Sequence, residues 1–210
     1  MALSSTAVAI RTATLADADL IAATLVDAFL DTPDARWLIP DRRARMEVYR
    51  QFCSALVGHT LSHAIIDIAA DGDGVALWHP HTGVPLGTSG SDPLAAMTGG
   101  PHAGRFRQLE ATFADHHPRA AHHYLAYLAV APARQRRGIG SALLAHHHAT
   151  LDADAVPAYL VAVSPESRDL YRRHGYQPHG EVFHLPDDGP PMFPMWRAPV
   201  RTSPGQDVGR

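Results

Sequence analysis

The apolar residues change their spacing along the chain, and each change marks an element. Val8-Ala-Ile-Arg11 is a short first strand. Thr14, with Asp17 three residues on, forms a capping box. Leu20, Ile21, Leu25, Ala28 and Phe29 then share one helical face, so a helix follows to about Phe29, and Pro33 stops it. Met46, Tyr49, Phe52, Cys53 and Leu56 are the core-facing stripe of a second helix, expected from about Asp41 to Gly58. His63 to Ile68 and VALWHP at 75–80 are strands, and DGDG at 71–74 makes them a hairpin. From Thr82 to Gly104 the chain turns to Gly, Pro, Ser and Thr, which predicts a loop with one short helix near Leu94–Met97. Phe106, Leu109 and Phe113 mark another helix, ended by Pro118.

The second half is more apolar. HHYLAYLAVAP at 122–132 is expected to be a central strand buried on both faces. AYLVAV at 158–163 is a second buried strand, and Ser167 to His174 a short helix closed by Gly175. Two more strands, roughly 176–185 and 192–198, flank the turn PDDGPP. With no internal repeat and no linker between two cores, the expectation is one α/β domain over 1–198, built on a mixed sheet. Residues 199–210 are expected to form a flexible tail.

Composition narrows the function classes. The 46% of hydrophobic residues fill a sizeable core, which argues against disorder. A net charge of −3 leaves no general footprint for nucleic acid or a membrane surface, so neither is expected as a partner. The single cysteine, Cys53, excludes an internal disulfide and fits a reducing cytoplasm. MALSSTAVAI lacks the basic start of a secretory signal, and no apolar run spans a bilayer. Fifteen histidines, grouped at 116–117, 122–123 and 146–148, invite a metal. Neighbouring histidines on a helix diverge, however, and no cluster holds an HxxxH pair with an acidic partner, so no metal is expected. His147 is four residues from both Leu143 and Leu151 and should face the sheet as a satisfied histidine.

The segment RQRRGIGSALLAHHHATL, 134–151, carries the chemistry. It leads from a buried strand into a helix through Gly138-Ile139-Gly140. The glycines allow a tight turn and close approach of a ligand, while first-turn N–H groups and the helix dipole favour an anion. Gln135, Arg136 and Arg137 add side-chain donors, which predicts a pyrophosphate site. The Walker pattern is absent because no Gly-Lys-Ser/Thr follows, and the dinucleotide fingerprint fails at Leu143.

The order strand, Gln135-x-x-Gly138-x-Gly140, helix, strand, then LYRRHGY at 170–176 resembles the GNAT superfamily of acyl-CoA-dependent N-acetyltransferases. It looks closest to the puromycin N-acetyltransferase branch, through VALWHP and the pattern Glu181-Val182, Pro186, Gly189-Pro190 and Met195. The resemblance implies a mixed, mostly antiparallel central sheet with splayed central strands, flanked by helices. It implies acetyl-CoA as co-substrate. Leu128, Ala129 and Val130 would pair with its pantetheine arm, and the Val130 N–H would hold the oxyanion. The N–H groups around Arg136, Gly138, Ile139, Gly140 and Ser141 would take the diphosphate, and either Arg136 or Arg137 would reach the ribose phosphate. Tyr171, by itself a core aromatic of a short amphipathic helix, would be the general acid that protonates the leaving thiolate.

The chain also departs from the family pattern. Val161 stands where relatives often carry an acid, and Ser167 where they often carry an asparagine facing the cofactor. The general base is therefore open among His123, Tyr124, Glu110 and water. Phe29, Trp37, Trp78, Tyr124 and Tyr127 are the candidates for the acceptor pocket. The implied activity is acetyl transfer to a primary amine of a small molecule, an antibiotic or toxic metabolite, by a monomer or homodimer. A non-catalytic acyl-CoA sensor, a protein N-acetyltransferase and a nucleic-acid contact through Arg134–Arg137 are the alternatives.

Overall fold

A computed structural model describes residues 8–82 and 100–200. The short helix expected near Leu94–Met97 and the tail from residue 201 lie outside the described residues. β1 (Ile10–Thr12) leads through a 3-10 turn into α1 (Ala18–Phe29), α2 (Pro33–Leu38) and α3 (Arg42–His63). The hairpin β2 (Ile65–Ala69) and β3 (Gly74–His81) precedes α4 (Ala103–His116) and β4 (His122–Val130). Then come α5 (Ile139–Ala153), β5 (Ala158–Ala162), α6 (Pro165–Arg173), β6 (Gln177–Pro178), β7 (Phe183–His184) and β8 (Pro191–Arg197).

The sheet runs β1-β2-β3-β4-β5-β8-β6, with β7 also paired to β8. Every pairing is antiparallel except β4 with β5, so the sheet is mixed and mostly antiparallel. Two apolar clusters cover it. One joins Ile21, Leu25, Phe52, Val57 and Leu77 beneath α1 and α3; the other joins Trp78, Leu143, Leu144 and Leu160 beneath α5.

Local chemistry explains most element ends. Asp17 Oδ2 accepts the Thr14 N–H at 2.8 Å, closing the expected capping box. Asp41 Oδ1 takes the Ala44 N–H at 2.7 Å and starts α3. Gly175, at φ 86°, supplies the left-handed residue beyond α6.

Several expectations need correction. Pro33 opens α2, because its missing N–H costs nothing at a first helical position. Leu20 is 48% exposed and lies over the Gly72 turn outside the core, while Thr24 and Val26 are buried instead. α3 runs to His63, well past Gly58. The strand expected over 176–185 is broken into β6 and β7 around Gly180, whose φ of 75° takes the chain out of the sheet. β4 is not buried on both faces: His122, Leu125 and Ala129 are buried and its other residues are partly exposed.

Arg45 fastens the three N-terminal helices. It is 3% exposed, and its guanidinium donates to Leu30 O and Ile39 O at 2.6 Å, to Pro40 O at 3.0 Å and to Asp31 Oδ1 at 3.0 Å. Arg45→Met keeps much of the volume but leaves these acceptors unpaired. A loss of about 2–4 kcal/mol is expected in urea unfolding.

Candidate active site

β4 and β5 part almost as soon as they meet. Only His123 with Ala158 and Tyr124 with Tyr159 are in register, whereas β3 follows β4 along its whole length. On that ladder Leu77 faces Tyr127 and Trp78 faces Leu125, so Ala126 is the extra residue of a β-bulge. The bulge changes which side chain faces which layer. Leu125, Leu128 and Val130 join the α5 cluster, while Tyr127 and Ala129 join the α1/α3 cluster. The Ala131 N–H donates to Asp73 O at 2.9 Å, on the β3 side. Strand alternation then turns the N–H and C=O groups of Leu128 and Val130 away from β3, into the gap.

A loop of exposed residues closes the far end of β4. Arg134 Nε lies 2.8 Å from Asp73 Oδ2, which ties the loop to the β2–β3 turn. The Gln135 side chain donates to Val130 O at 3.2 Å. Arg136 at φ 61° and Gly138 at φ 85° reverse the chain into α5. The first bond of that helix runs from the Ala142 N–H to Gly138 O at 2.9 Å. The N–H groups of Ile139, Gly140 and Ser141 precede it and lack intrahelical acceptors. A Cβ on Gly140 would meet Val130, Leu128 and Leu170 at 3.7–3.8 Å, so the helix start, the free end of β4 and α6 converge at this glycine.

Tyr171 is 8% exposed on α6, with Tyr176 edge-on at 5.8 Å. Burial, and then the proximity of Tyr124, raise its hydroxyl above the usual tyrosine range, so it keeps its proton at neutral pH. His174 Nε2 is 2.9 Å from Ser141 Oγ and links the end of α6 to the first turn of α5. Ser167 differs from expectation. Its hydroxyl donates to Ser164 O at 2.9 Å and its N–H to Ser164 Oγ at 3.1 Å, so the side chain caps its own helix.

The opposite face holds aromatics. Phe29 meets Tyr127 edge-on at 5.5 Å. Tyr124 lies beside Tyr159 at 5.9 Å, and burial pushes its hydroxyl up to about 12. Trp37 donates from its indole N–H to Pro186 O at 2.8 Å, and the Arg105 guanidinium lies 5.0 Å over its ring. Trp78 does not join them. It is fully buried in the other cluster, stacked on His147 at 4.1 Å, and cannot line an acceptor pocket.

The family comparison agrees with this geometry. Residues 105–178 match the model of the acetyltransferase (GNAT) domain. The structure of a Corynebacterium glutamicum protein described as histone acetyltransferase HPA2 and related acetyltransferase is 29% identical, with a TM-score of 0.71 over 95% of this chain and 100% of that one. The chain has the GNAT fold, and residues 105–178 are similar to its acetyltransferase domain. More distant folds agree. Arylalkylamine N-acetyltransferase 2 of Aedes aegypti is 14% identical, with a TM-score of 0.62 over 91% of this chain and 98% of its own. The polyamine N-acetyltransferase of Drosophila melanogaster is 14% identical, with a TM-score of 0.61 over 91% and 99%. GNAT acetyltransferases use acetyl-CoA.

Two groups of the chain escape a sequence reading. Asp34 is a polar residue at the start of α2 whose Oδ1 is buried with no hydrogen-bond partner. Burial raises its carboxyl above the usual range despite help from Thr32. Its charge in turn raises the hydroxyls of Tyr49 and Tyr127, behind the larger effect of their burial. Nothing in the TPDAR sequence distinguishes this acid from a solvated helix-start residue. The other group is Asp67, whose Oδ2 is 2.9 Å from His147 Nδ1, while His147 Nε2 is 3.0 Å from His123 Nδ1. Here a signal did exist, since Asp67 is the one charged residue within the apolar strand IIDIA. His147 is buried and partnered, as its spacing requires. Of the base candidates, His123 is committed to this chain, Tyr124 borders the gap and Glu110 sits half-buried on α4.

The two loop glycines should behave differently. A methyl group at Gly138 meets nothing within 4 Å but would be held at φ 85°, so Gly138→Ala should cost about 1–2 kcal/mol in urea unfolding. Gly140→Ala makes only ordinary contacts and should stay within about 0.5 kcal/mol.

Proposed function

We propose that the chain transfers an acetyl group from acetyl-CoA to the primary amine of a small molecule, by direct attack of the amine on the thioester. The observation that carries this reading is the parting of β4 from β5, with the N–H groups of Leu128 and Val130 turned into the gap and Tyr171 beside it. The pantetheine arm extends β4 as an added strand along Leu128, Ala129 and Val130. The diphosphate meets the N–H groups of Gly138, Ile139, Gly140 and Ser141, with Arg136 and Arg137 free in solvent to reach its phosphates. The Val130 N–H is the donor for the oxyanion, a role for which fixed backbone groups are suited.

The acceptor enters from the face of Phe29, Tyr127 and Tyr124, with Trp37 behind them. Asp34 is the anion of that face. Its unpartnered oxygen holds the ammonium form of the substrate and takes a proton as the amine becomes nucleophilic, a task that a raised carboxyl suits. The amine nitrogen forms a bond to the carbonyl carbon and releases its second proton to solvent, the C–S bond breaks, and Tyr171 gives its proton to the departing thiolate. Solvent returns that proton. The aromatic pocket with one buried acid favours a compact, flat or amphipathic amine, which includes antibiotics and toxic metabolites. It also favours a small acceptor over a protein chain. The puromycin-type pattern of the last strands supports the same class, and the reducing, cytoplasmic setting suits a coenzyme A donor.

Tyr171→Phe should lower kcat roughly 10²-fold while leaving coenzyme A affinity within about twofold, measured by thiol release and calorimetry. Unchanged turnover would remove Tyr171 as the acid, whereas coenzyme A binding with no thiol release by the wild-type protein would favour a sensor role. Asp34→Asn should lower kcat/KM for the amine with donor binding intact. Because the Asp34 carboxyl is raised and must be ionised to act, the acid limb of the wild-type profile should lie above the ordinary carboxylate range, with activity lost as pH falls through it. The Asn variant should lack that limb.

A further inference from the structure

Three histidines from separate parts of the chain meet at the end of the sheet away from the glycine loop. His81 is the last residue of β3, His122 the first of β4, and the two are direct cross-strand partners. His117 follows α4. The three rings are 4.9–5.0 Å apart, and one nitrogen of each lies within 4.8 Å of the others. We propose that His81, His117 and His122 form a binding site for a borderline divalent cation of the zinc type.

The arrangement has the features of a ligand set. His122 is 1% exposed, its Nδ1 lies 2.7 Å from Ala120 O, and its Nε2 is buried without a partner. A backbone carbonyl on one nitrogen fixes the tautomer and leaves the other as a lone pair, which is how metal-bound imidazoles are usually oriented. The Nε2 of His117 is likewise buried and unpartnered. Two orphaned nitrogens facing one space are unusual, because buried polar atoms nearly always find a partner. Three imidazoles suit zinc, cobalt or nickel, and leave a fourth position for water. Small ring rotations bring such nitrogens to Zn–N distances of about 2.0–2.1 Å.

The site ties the end of α4 to the β3–β4 ladder. Because it lies at the opposite end of β4 from Val130, it is independent of the acetyl-transfer reading. Spacing along the chain hides it, since His81 belongs to none of the runs that draw attention to the other two.

The test is calorimetric titration of metal-stripped full-length protein with zinc, alongside the visible spectrum with cobalt. The half-buried His59 and the exposed His63, whose rings stack at 4.5 Å on α3, are the obvious site of adventitious binding and serve as control. About one zinc per chain is expected, with tetrahedral cobalt bands and a zinc-dependent rise in Tm. His117→Gln and His81→Gln should each weaken binding at least about tenfold, whereas the double variant His59→Ala, His63→Ala should bind as wild type does. His117 is the least buried of the three, so His117→Gln disturbs the fold least, and the wild-type cobalt spectrum reads the ligand set without any variant. Absence of a stoichiometric site, octahedral cobalt bands, binding that survives both glutamine variants, or binding lost with His59 and His63 would each overturn the proposal.

Discussion

The architecture depends on a hydrogen-bond ladder that stops. β4 is held to β3 along its whole length but to β5 at only two registered positions. A strand that parts from its neighbour inside a sheet leaves backbone N–H and C=O groups open to another partner. Here the opening is bordered by the glycine start of α5 and by α6, so the backbone donors of β4 and those of a helix N-terminus face the same space. In the proposed reading, an extended ligand with an amide-bearing arm and a diphosphate head would meet both sets of donors at once.

The rest of the molecule holds that opening in shape. The bulge at Ala126 lets Leu125 and Leu128 anchor one face of β4 while Tyr127 and Ala129 anchor the other. The Arg134–Asp73 pair and the Gln135 bond to Val130 O fix the loop against the strand it leaves. On the C-terminal side, Arg197 makes a bidentate pair with Asp152 at 2.7 and 2.8 Å, locking β8 to the end of α5. The proposed site is therefore asymmetric, with backbone groups on the side of the acetyl donor and aromatic side chains and one buried acid on the side of the amine.

Much of this was legible in the sequence. The period change at 122–132, the paired glycines and LYRRHGY marked the strand, the turn and the tyrosine helix, because each depends on local chemistry that a short window contains. Side-chain partners were less legible. Trp78 and Tyr127 belong to opposite layers, and only the bulge, which no composition signals, decides that. Ser167 has the chemistry of a ligand contact but serves as a cap, since Ser164 three residues earlier competes for its hydroxyl. Asp34 and Asp67 acquire their character from burial by elements distant in sequence. Likewise, His81 meets His117 and His122 only through the strand register and the end of α4.

Amide hydrogen exchange with and without coenzyme A tests the central claim most directly. If the opening beside β4 receives the donor as an added strand, the N–H groups of Leu128 and Val130 should exchange more slowly when coenzyme A is bound, together with those of Ile139, Gly140 and Ser141. Exchange at these positions that is unchanged by saturating coenzyme, or protection confined to another surface, would contradict the account.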